Sequence, residues 1–156
     1  MDKIDKQIIK SLQQSGRKKN SELASEMNLA PSTMLDRVKK LETKGIIKEY
    51  RAVVDPEKIG LKVKGFVSLS LDRHRVQSIE LFEIEIKQIA NVRACYHTAG
   101  RFDYLLYVVA QNIDDFGTLI KDRIATIPGI GKIETFIVYS EVKPDLGWPI
   151  DAGDLD

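Results

Sequence analysis

The sequence predicts an α+β chain in two parts: a helical, basic N-terminal third and a longer, acidic remainder in which strands and helices alternate. Three observations predict it. From Ile4 to Leu41 apolar residues recur at three- and four-residue spacing, the period of amphipathic helices. From Val63 onward, β-branched and aromatic runs alternate with helical spacing, punctuated by Gly, Asn and Pro. Charge divides in the same place: residues 1–51 carry 12 Lys and Arg against 7 Asp and Glu, whereas residues 52–156 carry 12 against 16, so a net charge of +1 conceals +5 and −4. A basic segment joined to an acidic one is the balance expected when only the first meets phosphate.

The helical part justifies itself element by element. Ile4, Ile8, Ile9 and Leu12 mark the first helix, and Gly16 stops it. A second helix, capped by Asn20 or Ser21, buries Leu23, Ala24 and Met27 and ends at Asn28. The third begins at Pro31, where a missing N–H has no partner to lose. It buries Met34, Leu35, Val38 and Leu41 and stops at Gly45. Ile46–Pro56 alternates loosely enough for an extended connector, and Asp55-Pro56 is the natural boundary.

The second part changes period. Val63–Leu71 is a strand; Ile79, Phe82, Ile86 and Ile89 return to helical spacing. Val92–Ala99 and Asp103–Ala110 are strands separated by a turn at Gly100-Arg101-Phe102. Asn112 caps a helix burying Phe116, Leu119, Ile120 and Ile124, Pro128-Gly129 breaks it, and Lys132–Val142 is the last strand. The order β-α-β-β-α-β is the ferredoxin-like split unit. The expected domains are residues 1–51, a connector 52–62, a βαββαβ domain 63–143, and a tail 144–156 whose acidic end, Asp151–Asp156, should fray.

Both faces of the predicted sheet are apolar. One face of the third strand offers Leu105, Tyr107 and Val109, the other Tyr104, Leu106, Val108 and Ala110; on the last strand Ile133, Ile137 and Tyr139 oppose Phe136, Val138 and Val142. Two helices cover one face only, so a second copy of the chain is the economical cover for the other, and a homodimer is expected.

Two short helices joined by the three-residue turn Asn28-Leu29-Ala30 match a helix-turn-helix, winged-helix-like arrangement, with double-stranded DNA as the expected partner. On the third helix Ser32, Thr33, Asp36, Arg37, Lys39 and Lys40 project away from the core stripe. Small hydroxyls allow close approach to base edges, Arg37 has the planar fork for a guanine edge or a phosphate, and Lys39, Lys40 and Lys44 suit backbone phosphates. The alternative for this pattern is a packed helical hairpin whose charged face is merely solvated.

These residues also resemble a known family. "DKIDKQIIKSLQQSGR", "LAPSTMLDRVKKLETKGIIKEYRAVVDP", "NVRACYHTAGRFDYLLYVV" and "IPGIGKIETFIVYSEVK" are similar, in order and spacing over about residues 2–143, to the Lrp/AsnC (leucine-responsive, feast/famine) transcriptional regulators. The resemblance implies an N-terminal DNA-reading domain, a C-terminal sensor domain, dimers that assemble into octamers or other rings, and regulation modulated by an amino acid. It places an effector near the loop Thr98, Ala99, Gly100, Arg101, Phe102, Asp103, with Asp103 suited to an α-ammonium group, and near Phe136, Ile137 and Val138. The alternative for the loop is a plain tight hairpin in which Asp103 pairs with Arg101.

Other chemistry finds little support. His74 and His97 lie in different elements, no zinc-protease or nucleophile motif is present, and Gly129-Ile130-Gly131 follows a helix, so it is a turn and not a dinucleotide fingerprint. No catalytic residue, metal site or cofactor is expected. Cys95, the single cysteine, excludes an intrachain disulfide and is expected to be a small buried hydrophobe. No apolar run reaches the ~18–20 residues that span a bilayer, and Met1–Lys6 lacks the apolar stretch of a secretory signal, so a cytoplasmic protein is expected. Trp148, between Gly147 and Pro149, is a candidate for packing on a neighbouring subunit. Two rival functions remain: an enzyme of siroheme-decarboxylase type, using His97 and Arg93, and an amino-acid sensor acting without DNA.

Overall fold

The computed structural model describes residues 1–72 and 76–150; His74 and the acidic end Asp151–Asp156 lie outside the described residues. The chain divides into two compact units, Met1–Val54 with Lys143–Asp156, and Asp55–Val142.

The first unit holds helices α1 (Lys3–Gln14), α2 (Asn20–Glu26) and α3 (Pro31–Thr43). Asp2 caps α1: its Oδ1 accepts the Asp5 N–H at 2.8 Å, while Asp5 Oδ2 accepts the Asp2 N–H at 3.3 Å. The cap of α2 falls before the expected Asn20 or Ser21, at Lys19, whose N–H donates to Glu22 Oε2 at 3.0 Å. Here Glu22, reaching back over one turn, satisfies the helix start in place of a hydroxyl or amide. Asn28 adopts φ 53°, a conformation that asparagine tolerates better than most residues, and the Leu29 N–H returns to Ala24 O at 2.9 Å. This ends α2 and lets Pro31 open α3 in its first turn. At the other end, the Ile46 N–H bonds to Leu41 O at 3.0 Å across Gly45, a Schellman closure.

Ile8, Leu23, Ala24, Met34, Val38 and Leu41 form the buried core of this unit, with Ile4, Ile9, Leu12, Met27, Leu29 and Ile47 against it. At about 1.5–3 kcal/mol for each large side chain taken from water, this cluster dominates the stability of the unit. Leu35 departs from expectation. It is 39% exposed, because one turn of helix places Met34 and Val38, not Leu35, over α1 and α2. Residues 48–55 run without regular secondary structure.

The second unit is a four-stranded antiparallel sheet of β1 (Val63–Leu71), β2 (Val92–His97), β3 (Tyr104–Ala110) and β4 (Ile130–Ile137), in the order β2-β3-β1-β4. Helix α4 (Val76–Lys87) and helix α5 (Ile113–Leu119), prolonged by a π-turn at Ile120–Ile124, supply the crossovers of the βαββαβ order. Asn112 caps α5 as expected, accepting the Asp115 N–H at 2.8 Å. Val67, Leu69, Leu71, Tyr104, Leu106, Val108 and Ala110 pack with Phe82, Ile86, Ile89, Phe116, Ile124 and Ile127 into one core. Gly65 is the point of closest approach: a Cβ there would lie 2.7 Å from Phe116 Cζ.

Strand ends shift from their expected positions. β4 begins at Ile130, so Ile130 and Gly131 belong to the strand and only Gly129 to the turn. It ends at Ile137, not Val142, because Gly65 already pairs with Ile137 near the start of β1 and the last ladder bond runs from the Val138 N–H to Lys64 O. Tyr139 and Val142 are consequently exposed.

Candidate nucleic-acid interface and ligand loop

Ser32, Thr33, Asp36, Lys39, Lys40 and Lys44 are all exposed on α3 or just past its end. The core stripe Met34, Val38 and Leu41 turns this opposite flank outward, and the Pro31 start brings the hydroxyls of Ser32 and Thr33 to the helix N-terminus. Two hydroxyls, one carboxylate and three ammonium groups on one surface can hydrogen-bond base edges and neutralise phosphates.

Arg37 departs from this set. Its Nη1 lies 2.7 Å from Asp2 Oδ2 and 2.7 Å from Asp5 Oδ1, so the guanidinium fastens α3 to the capped start of α1 instead of standing free for a base. The reason is geometric: the capping box that starts α1 leaves two carboxylates beside this turn of α3. Hydrogen bonding to Asp2, then to Asp5, raises the Arg37 pKa; the Asp5 backbone N–H, reinforced by Arg37, holds Asp2 below its ordinary 3.8. Arg37 Nε is buried with no hydrogen-bond partner among the described residues, a cost that the two carboxylate contacts offset. A second tie acts behind the recognition surface. Lys18 Nζ meets Glu26 Oε1 at 2.8 Å and Ser11 Oγ at 2.8 Å, joining the first interhelical loop to α1 and α2 and lowering the Glu26 pKa. The sequence signal for these ties was present as an Asp-x-x-Asp start and a free Arg in α3, but spacing alone does not say which helix a charge will meet.

In the second unit, the loop Thr98–Asp103 closes the β2–β3 hairpin. The Thr98 N–H donates to Asp103 O at 2.8 Å and Thr98 Oγ1 donates to Phe102 O at 2.7 Å. Asp103 does not pair with Arg101: its Oδ2 accepts the Leu71 N–H at 2.8 Å. Arg101 instead reaches Glu134 on β4 at 3.1 Å and lies 5.2 Å over the Phe102 ring, while Lys132, then Arg101, lowers the Glu134 pKa. The loop therefore presents its backbone, Ala99 and Gly100, with charged groups around it.

The other expected effector residues, Phe136, Ile137 and Val138, lie elsewhere. Leu69 sits beside Tyr104 and Ile133, at the loop end, whereas Gly65 sits beside Ile137. Four residues of strand separate the two regions, about 13 Å. Phe136 is 50% exposed and belongs to the sheet face away from the helices, where Ala94, Tyr107, Phe66 and Phe136 form one cross-strand row; the Phe66 and Tyr107 ring centroids are 5.4 Å apart. Tyr96 is exposed on the same face.

On the helical side, Glu83, Lys87, Arg93, Cys95, His97 and Tyr104 line a cleft of about 410 Å³. The Tyr104 hydroxyl donates to Glu83 at 2.7 Å and the His97 ring stacks on Tyr104 at 4.6 Å. Cys95 is exposed, correcting its expected burial, because β2 is an edge strand. Partial desolvation still pushes the thiol up to about 11, so it is protonated and unreactive at neutral pH. No cluster of three metal-ligating side chains occurs among the described residues, and no helix there is long and apolar enough to cross a membrane.

Comparison with known proteins agrees with this geometry over both units. Residues 64–148 match the Lrp/AsnC ligand binding domain and residues 1–48 a winged helix-turn-helix DNA-binding domain. The leucine-responsive regulatory protein of Escherichia coli K12 is 31% identical over 143 residues, covering 92% of this chain and 87% of that protein. Among solved structures, the L-Met complex of a transcriptional regulator from Neisseria meningitidis superposes with a TM-score of 0.93 at 30% identity, over 97% of each chain. An AsnC family transcriptional regulator from Agrobacterium tumefaciens gives 0.91 at 28% identity, over 98% of this chain and 99% of the other.

Proposed function

The chain belongs to the Lrp/AsnC family of DNA-binding transcriptional regulators, and from that premise we propose how its residues divide the work. Ser32, Thr33 and Asp36 read base edges; Lys39, Lys40 and Lys44 hold phosphates; Arg37 sets the pose of the reading helix. The observation that carries this is the exposed polar flank of α3 beside a Pro31 start, backed by an Arg37 already committed to Asp2 and Asp5. Selection from a random duplex pool, followed by affinity measurements across salt, tests it. The expected result is one enriched pseudo-palindrome and a log–log salt slope of several units. No enrichment would overturn it.

The working form is a homodimer joined through the uncovered sheet face, so that two α3 helices reach half-sites about one helical turn, or a multiple, apart. Phe66, Tyr96, Tyr107 and Phe136 give that face an aromatic surface of the kind that seeks cover. Dimers assemble further into an octamer or another ring.

The effector is an amino acid or a close relative, taken at the Thr98–Asp103 loop, where exposed backbone and Asp103 meet a zwitterion's two charges. A structural neighbour crystallised with L-Met supports that class. Because Phe136–Val138 lie about 13 Å along the sheet from the loop, they respond to effector through the contact between copies and not as part of the same pocket. A thermal-shift screen of the twenty amino acids, with sedimentation on each hit, tests this part. Action on cytoplasmic DNA without catalysis completes the reading.

A further inference from the structure

The chain passes between its two units twice, at Val54–Asp55 and again at Val142–Lys143. The second passage is fastened on both sides. In the sheet unit, Lys64 Nζ meets Glu141 Oε2 at 2.9 Å and Lys64 O accepts the Val138 N–H at 2.9 Å. In the helical unit, Gln13 of α1 grips one residue of the tail with both ends of its amide. The Trp148 N–H donates to Gln13 Oε1 at 2.6 Å, and Gln13 Nε2 donates to Trp148 O at 3.0 Å. A residue whose N–H and C=O are both taken by one partner is bonded as in an antiparallel ladder, with the glutamine amide standing in for the neighbouring strand.

The tail is shaped for this grip. Asp145 Oδ1 accepts the Gly147 N–H at 2.8 Å, turning the chain toward α1. Gly147 has φ +90°, and a Cβ there would lie 2.5 Å from Gln13 Oε1 and 2.9 Å from Gln13 Cδ. Only glycine meets both demands. Pro144 and Pro149 flank the segment and reduce what ordering it costs. Trp148 lies along a groove with Ile9, Leu12, Ile46, Ile47 and Tyr50.

We propose that Lys143–Ile150 is a strap: a releasable second tether that limits how far the helical unit strays and thereby raises the affinity of the dimer for a two-half-site operator. Two solvent-exposed hydrogen bonds are weak enough to open thermally, and a shorter reach raises the effective concentration of the second recognition helix at its half-site. The effect on DNA rests on the dimeric reading above; the clamp itself does not.

The test uses the full chain and the variants Gln13→Ala, Gly147→Ala and the pair together. Hydrogen exchange at the Trp148 amide is followed beside affinity for a two-half-site operator and for a single half-site duplex. The Trp148 amide is expected to be protected in the parent and unprotected in every variant. Operator affinity is expected to fall about 3–10-fold in each single variant, with no further loss in the pair and no change on the single half-site. An unprotected Trp148 amide in the parent, unchanged operator affinity in the variants, additive losses in the pair, or an equal loss on the single half-site would each overturn the strap. A parent protein that binds neither duplex defeats the DNA reading instead, and the exchange data still decide the clamp.

Discussion

Arg37 Nη1 stands 2.7 Å from Asp5 Oδ1, joining the recognition helix to the first turn of α1. On the reading proposed above, an arginine with the right shape for guanine serves as a brace. Arg37→Ala should cost roughly 1 kcal/mol of stability and weaken DNA binding to similar extents on all sequences, leaving the preferred operator unchanged. Thermal melts and repeated selection from random duplexes check this. A changed consensus would return Arg37 to the base-reading set.

Lys40 is exposed, and among the described residues no ion pair to it occurs, which suits a phosphate contact. Lys40→Ala should weaken binding uniformly and reduce the salt slope by about one unit. A titration between low and moderate salt reads the slope directly.

The proposed effector contact of Asp103 is separable from its structural one, in which a carboxylate oxygen accepts the Leu71 N–H at 2.8 Å. Asp103→Asn keeps an acceptor for that bond but loses the charge. It should melt near the parent temperature and fail to respond to amino acids, whereas Asp103→Ala should lose the response and also about 1 kcal/mol of stability. An intact response in Asp103→Asn places the ammonium partner elsewhere.

Phe136 is half exposed in the row that includes Phe66 and Tyr107. Phe136→Glu puts a charge where a second copy is expected to pack, and should shift sedimentation from dimer or larger to monomer. An unaltered assembly would remove the open face from the interface.

The pH dependence follows from the two ties of the helical unit. Asp2 lies below its ordinary 3.8, held down first by the Asp5 N–H and then by Arg37; Glu26 lies below 4.5, held down first by Lys18. A depressed carboxylate contributes stability that is fully present above its ordinary value and is lost as pH falls through the folded value. Melting temperature should therefore hold steady from neutrality to about pH 5 and drop below about pH 4. The variant Asp2→Asn with Glu26→Gln should start lower and show a shallower drop.

How much of this was legible in the chain differs between its parts. Asn28, Pro31 and Gly45 act locally, through allowed dihedrals and missing donors, so the breaks of the helix-turn-helix follow from residue type. The alternation in β1 and β3 likewise separates the two sheet faces, because side chains on a strand point to opposite sides whatever their neighbours. Leu35 departs from its expected burial because an apolar residue at the margin of a helical stripe is buried only if a partner helix extends that far. β4 ends short of its expected bound because a strand stops where its neighbour runs out, which no property of Tyr139 or Val142 reveals.

The two-part architecture, the polar flank of α3 and the doubly apolar sheet can be read from the chain, since each rests on periodicity and backbone chemistry within a few residues. From packing alone come the pairing of Arg37 with Asp2 and Asp5, the capping of a strand residue by Asp103, and the hold of Gln13 on Trp148. Those pairings join residues between 32 and 135 positions apart. Their partners are chosen by the packing of whole elements, which brings together groups that local pattern cannot distinguish from any other charge or amide.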